Sequence, residues 1–316
     1  MSGRWAVSAT LVLAALLLPA SAAPPPRPEG PAAAAGETGE DRFADLFATA
    51  SLWQVGDNVE RVEAARRQLS DLGEPAVRWL VEHRLGVATT LERRALDAVL
   101  VARKDLAAPL LRERLRAGVD ATPATRVNLA RLARKLGLRE AAPTLAAWLD
   151  DLPSLPPTEA RALAREVLAA LSALDPGRAV AAGRRLLEAR DPWTRVAALR
   201  ALGRSGDPGV ADDLVAVAIG PATAIVRGAA ALALVDLGEP AAAPLERALG
   251  HCSREDAAPS ACGFAVRAAA ALLPDLPGDT RATLRRALDR VAALGPAPLA
   301  ALAVELAYGP ELAPGR

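Results

Sequence analysis

From Val196 to Leu202, and again from Gly228 to Leu234, apolar residues recur three and four positions apart. This spacing predicts helices with one buried face. Alanine fills many of the positions between, which lets neighbouring helices approach closely. The punctuation repeats as well. Arg195 is followed by Leu202, Gly206, Asp207 and Pro208, and Arg227 by Leu234, Gly238, Glu239 and Pro240, at the same offsets and 32 residues further on. That is the length of one helix-turn-helix unit, so the pattern predicts an array of helical repeats.

Each mark has a physical reason. The glycine falls where a helix must stop, because it reaches backbone conformations that other residues resist. An acid followed by proline reads as the next start, with the acid near the N-cap and the proline in the first turn, where no backbone donor is needed. Fainter copies occur on both sides. Leu72-Gly73-Glu74-Pro75 repeats the turn at Gly238; Arg93 is followed by Leu100 and Asp105, with Lys104 in place of glycine; Arg126 is followed by Gly137. The stretch from Pro157 to Arg190 keeps only Asp175-Pro176. Arg267 is followed by Gly278 and Asp279 at the motif offsets, with Pro274 expected to kink or shorten that helix. Anchors near 62, 93, 126, 161, 195, 227 and 267 give about seven helix pairs.

The run D-P-x-x-R-x-x-A-x-x-A-L-G-x-x-G-D-P from Asp191 to Pro208 resembles a HEAT repeat of the short type first noted in phycobilisome lyases. The resemblance implies an all-α, right-handed α-solenoid of stacked antiparallel helix pairs, with capping helices at both ends and a concave face used for protein binding. A tetratricopeptide array would carry a tryptophan-leucine-glycine-tyrosine signature, yet the only tyrosine is Tyr308. Armadillo units would be longer.

At the N-terminus, Arg4, the apolar run Trp5 to Leu18 and the small-residue site Ala20-Ser21-Ala22 make residues 1–22 an expected signal peptide. An uncleaved anchor is the alternative, but its apolar run falls short of the ~20 residues a span needs. Residues 23–40, rich in proline and alanine, read as a disordered tether. The solenoid is expected over 41–309, with Phe43, Leu46 and Phe47 in a cap at its start, a mostly apolar helix at its end and a tail over 310–316. The implied location is periplasmic or secreted, in a bacterium, with membrane contact only through the signal segment during export.

With 52% hydrophobic but 3% aromatic residues, the core must be built from alanine, leucine and valine. The 38 basic and 37 acidic residues leave no electrostatic footprint of a nucleic-acid binder. Only two cysteines occur, Cys252 and Cys262; in an exported chain they read as a disulfide closing a loop. They bracket an apparent insertion, since the last two anchors are 40 residues apart. That loop is either a recognition element or a shift in stacking. A metal site from His251, Cys252, Cys262 and Glu255 or Asp256 is the weaker alternative, because no CxxC pair is present.

Candidate binding residues come from local charge. Arg112, Arg114 and Arg116 share one second helix, and Arg178, Arg184 and Arg185 another, with Arg190 close by. The resemblance places second helices on the concave face, where these arginines would meet an acidic partner; the competing reading is a solvated face paired with Glu113 and Glu188. Arg195, Arg227 and Arg267 are expected to bridge to turn acids of adjacent units. No HExxH, phosphate-binding loop or nucleophile elbow occurs. The chain is therefore expected to be a non-catalytic scaffold of the cell envelope that binds a protein or peptide and needs no cofactor. A lyase-like or cofactor-handling protein, implied by the resemblance alone, and a redox- or metal-responsive Cys252/Cys262 loop are the alternatives.

Overall fold

The computed structural model of the chain describes residues 39–117 and 121–308. The expected signal segment, nearly all of the tether and the tail over 310–316 lie outside the described residues. Residues 39 and 40, assigned to the tether by composition, already belong to the first helix, α1 (Gly39–Ala50).

Sixteen α-helices and no strand occur among the described residues. After α1 come seven antiparallel pairs. They are α2 (Asn58–Asp71) with α3 (Glu74–His83), α4 (Thr90–Ala102) with α5 (Lys104–Ala117), and α6 (Pro123–Leu136) with α7 (Ala142–Trp148). Then follow α8 (Pro157–Leu174) with α9 (Pro176–Leu186), α10 (Pro192–Gly203) with α11 (Ala211–Ile219), α12 (Ala224–Leu237) with α13 (Ala242–Cys252), and α14 (Pro259–Leu272) with α15 (Gly278–Leu294). A last helix, α16 (Ala297–Tyr308), closes the array. The first helix of each pair packs on the first helix of the next, without a break from α2 to α16. One hydrophobic core runs from Phe47 to Ala303. This is an all-α solenoid with a cap at each end.

Local chemistry explains where helices start and stop. Asp191 accepts a hydrogen bond from the Thr194 amide at 2.8 Å and stands before Pro192, so cap and first-turn proline coincide as the sequence predicts. Asp175 and Pro176 do the same for α9, through the Arg178 amide at 3.0 Å. Thr89 caps α4 by accepting from the Glu92 amide, and its hydroxyl donates to the Glu92 carboxylate. The two Leu-Gly-Glu-Pro turns share one backbone geometry: Gly73 has φ 71° and ψ −145°, and Gly238 has φ 77° and ψ −141°. A side chain resists that region, so the repeated glycine is a backbone requirement.

The period is more even than the sequence marks suggest. α10, α12 and α14 start at 192, 224 and 259. The apparent 40-residue interval therefore comes from misplacing the last anchor. The fourth residue of α14 is Cys262, where α10 has Arg195 and α12 has Arg227. Arg267 lies five positions later, and Gly278 and Asp279 open α15. Pro274 does not kink a helix, because α14 has already ended at Leu272. Where α10 crosses α12 the backbones nearly touch: a Cβ on Gly203 would stand 2.6 Å from the Ala233 carbonyl oxygen.

Candidate functional site

The arginines singled out by charge are largely spent on holding the array together. Arg112 on α5 pairs with Glu140 ahead of α7, and Arg185 on α9 with Asp150 after α7, at 2.7 Å. Arg184 on α9 pairs with Asp213 on α11 at 2.7 Å, and Arg247 on α13 with Asp212 on α11 at 2.6 Å. Arg290 on α15 reaches Glu246 on α13 at 3.7 Å. These bridges link every second helix from α5 to α15 to its neighbour. The partners are acids of adjacent units, not the Glu113 and Glu188 expected from sequence. The Arg112 hydrogen bond holds the Glu140 carboxyl below its ordinary range, and Asp213 raises the Arg184 guanidinium. Arg178 pairs with its own N-cap, Asp175, at 3.0 Å. Arg114 and Arg116 are exposed and make no ion pair among the described residues.

The motif arginines also differ from expectation. Arg195, Arg227 and Arg267 form no ion pair among the described residues, and the Nε atoms of Arg195 and Arg227 are buried without a hydrogen-bond partner. Arg227 and Arg267 lie over the Phe264 ring, at 5.3 and 5.9 Å from its centroid. The turn acids have other partners. Asp207 accepts from the Gly209 amide at 2.8 Å, and Glu239 accepts from the Thr280 hydroxyl at 3.4 Å. Bridging to an adjacent unit's cap does occur elsewhere, from Arg161 on α8 to Asp191 at 2.7 Å.

Cys252 and Cys262 form a disulfide, and both are buried. They sit on the last turn of α13 and the first turn of α14, so the bond staples two packed helices and closes a short turn. No long insertion projects there. The bond also occupies both sulfurs that the alternative metal site required.

A concavity lies elsewhere, in the stretch where the repeat is most degenerate. α7 is only seven residues long and passes into a 3-10 turn, Leu149–Ser154, that contains Pro153. Pro156 and Pro157 then start α8. Because proline cannot continue a helix, this second helix ends early and leaves unfilled space beside the longer α9. The result is a groove of about 720 Å³ floored by Leu149, Leu152, Leu155, Ala160, Leu186 and Ala189. Asp150, Arg185, Arg190 and Asp191 form its rim. A second trough of about 410 Å³ continues between α7 and α9 past the Arg185–Asp150 pair, with Arg178 on its wall. Its walls are otherwise alanine, too small to fill the gap between the helices.

Two of the six candidate arginines, Arg178 and Arg185, therefore reach this surface, whereas Arg112, Arg114, Arg116 and Arg184 line neither concavity. The apolar floor was missed. Its only sequence signal is the proline-rich Leu152 to Pro157 interrupting the repeat. Asp191 has a structural role within the rim. Burial opposes its charge, but the Arg161 guanidinium and the Thr194 amide and hydroxyl together hold its carboxyl below the usual range.

Residues 152–235, from within that 3-10 turn to near the end of α12, match the family model for HEAT repeats. Among solved structures, the chain is similar to the complex of CpcE and CpcF of phycocyanin lyase from Nostoc sp. PCC7120. The identity is 22% and the TM-score 0.37, covering 84% of this chain and 99% of that one. It is similar also to human deoxyhypusine hydroxylase in complex with glycerol, at 20% identity and a TM-score of 0.33, covering 85% and 96%. An engineered protein matches at 17% identity and a TM-score of 0.35, covering 80% and 98%. Scores this low transfer neither activity nor ligand. No curated protein matches the sequence. The repeat match over residues 152–235 and the helix pairs stacked on either side of it make this an α-solenoid of HEAT-like repeats.

Proposed function

We propose that this solenoid of HEAT-like repeats is a non-catalytic scaffold that binds a segment of another protein in the groove beside α7 and α9. The observation that carries the reading is the groove itself, an open apolar trough of about 720 Å³ with charged side chains on its rim. Concave apolar sites with a few placed polar groups are where ligands settle. The ion pairs between successive second helices support it, since they hold in register the units that frame the groove. The scaffold works in the cell envelope. The signal-like pattern of residues 1–22 and a disulfide suited to an oxidising compartment support that location.

Site-directed photocrosslinking tests the reading. A photoreactive phenylalanine analogue replaces Ala189 on the groove floor in one version of the protein, and exposed Arg200 on α10 in another. In living cells the Ala189 position is expected to give a discrete crosslinked protein that the Arg200 position does not. Identical products from both positions, or none from Ala189, would remove the groove as the binding site.

A further inference from the structure

The groove rim carries two acids and two arginines, Asp150, Asp191, Arg185 and Arg190, and all but Arg190 have a partner of opposite charge. Arg185 is engaged by Asp150, and Asp191 by Arg161 and the Thr194 amide. Arg190, the remaining rim cation, is exposed and makes no ion pair or hydrogen bond among the described residues. Glu188, two residues earlier, does not pair with it. The first turn of α8 adds Pro157 and Ala160 to the groove lining, and its acid, Glu159, offsets the positive end of that helix. A ligand that fills this groove must bring apolar surface for the leucine floor and an anionic group for Arg190.

Two of the first helices that follow also carry an exposed apolar side chain near their start. Trp193, the second residue of α10, is 49% exposed, and Ile225, the second residue of the adjacent α12, is 53% exposed. The two occupy the same position on packed first helices, and Trp193 follows the rim residue Asp191 by two. Packed helices lie about 8–10 Å apart, and an extended chain advances ~3.3 Å per residue. One unit thus corresponds to about three ligand residues. A compact small molecule would fill the groove and leave Trp193 and Ile225 bare.

We propose that the groove takes an extended acidic-apolar segment of a partner protein. Its carboxylate meets Arg190, one apolar side chain enters between Leu152 and Leu186, and further apolar side chains at about three-residue spacing reach Trp193 and Ile225. This rests on the scaffold reading and names the chemistry of its partner. Tryptophan and arginine are among the side chains on which binding energy concentrates at interfaces.

The test uses the whole chain and a displayed library of random 12-residue peptides. Selection is expected to enrich peptides with Asp or Glu beside two or more large apolar residues spaced by about three. For a synthetic copy of the winner, fluorescence polarisation should show at least tenfold weaker binding to Arg190→Glu and to Ala189→Trp, and several-fold weaker binding to Trp193→Ala. Circular dichroism checks that each variant is folded. Reselection on Arg190→Glu should replace the peptide acid with Lys or Arg. Enriched peptides without an acid, or an affinity unchanged within twofold by Arg190→Glu, would overturn the acidic segment while Ala189→Trp still reports binding in the groove. No enrichment, or winners indifferent to Ala189→Trp, would sink both this proposal and the scaffold reading at this site. A wild-type dimer in sedimentation equilibrium that Ala189→Trp converts to monomer would identify the occupant as a second copy and overturn the proposal.

Discussion

Replacing Gly203 by alanine sets two effects of opposite sign against each other. Gly203 ends α10, and alanine is favoured over glycine in helices by up to about 1 kcal/mol. Against that gain stands the crossing with α12. The added Cβ would lie 2.6 Å from the Ala233 carbonyl oxygen and 2.7 Å from its Cα. Both are backbone atoms, so no side chain can turn aside to make room. Relief requires α10 and α12 to separate by several tenths of an ångström, which places the cost at the upper end of the overpacking range, about 3 kcal/mol. The clash wins by about 2 kcal/mol, which corresponds to a fall in melting temperature of about 4–8 °C for an array of this size. Gly250 on α13 is the control: it is exposed, and a Cβ there meets nothing within 4 Å, so Gly250→Ala should be neutral or stabilising. Thermal and urea unfolding followed by circular dichroism at 222 nm decides the matter. A Gly203→Ala protein as stable as its parent would refute the close-crossing argument.

Other perturbations separate the remaining forces. Replacing both Cys252 and Cys262 by alanine removes a crosslink between residues ten apart, and unfolding midpoints should report a loss of about 3 kcal/mol. Asp191→Asn keeps an N-cap acceptor but loses the ion pair with Arg161, and should cost up to about 1 kcal/mol at pH 7. Because the folded-state pKa of Asp191 is depressed, its charge stabilises the fold above the unfolded value of about 3.9 and stops doing so as pH falls through the folded value. The urea-midpoint gap between parent and Asp191→Asn should therefore shrink from pH 5 towards pH 2; a gap that widens would contradict the assignment. Arg247→Ala breaks an exposed bridge to Asp212 and should shift stability by no more than about 1 kcal/mol, less at 1 M salt, in the same urea assay.

The sequence by itself determined the repeat. Helical spacing, the glycine stops and the Asp-Pro starts are local backbone requirements, so Asp191-Pro192 and the turns at Gly73 and Gly238 were legible before any packing was known. The pairing of Cys252 with Cys262 was legible too, since the chain has no other cysteine. The tertiary structure alone decided what the charges do. Arg112, Arg184 and Arg185 look free along the chain, but acids of adjacent units lie within reach only after the second helices stack. It also decided the register of the last unit, because Arg267 matched a spacing that the real start of α14 at Pro259 does not keep. The groove follows the same logic. Its floor is ordinary leucine and alanine, indistinguishable in the sequence from core, and it stays open because a proline-shortened α7 leaves the longer α9 uncovered. Local chemistry fixes where helices begin and end, whereas a binding surface is the space their packing fails to fill.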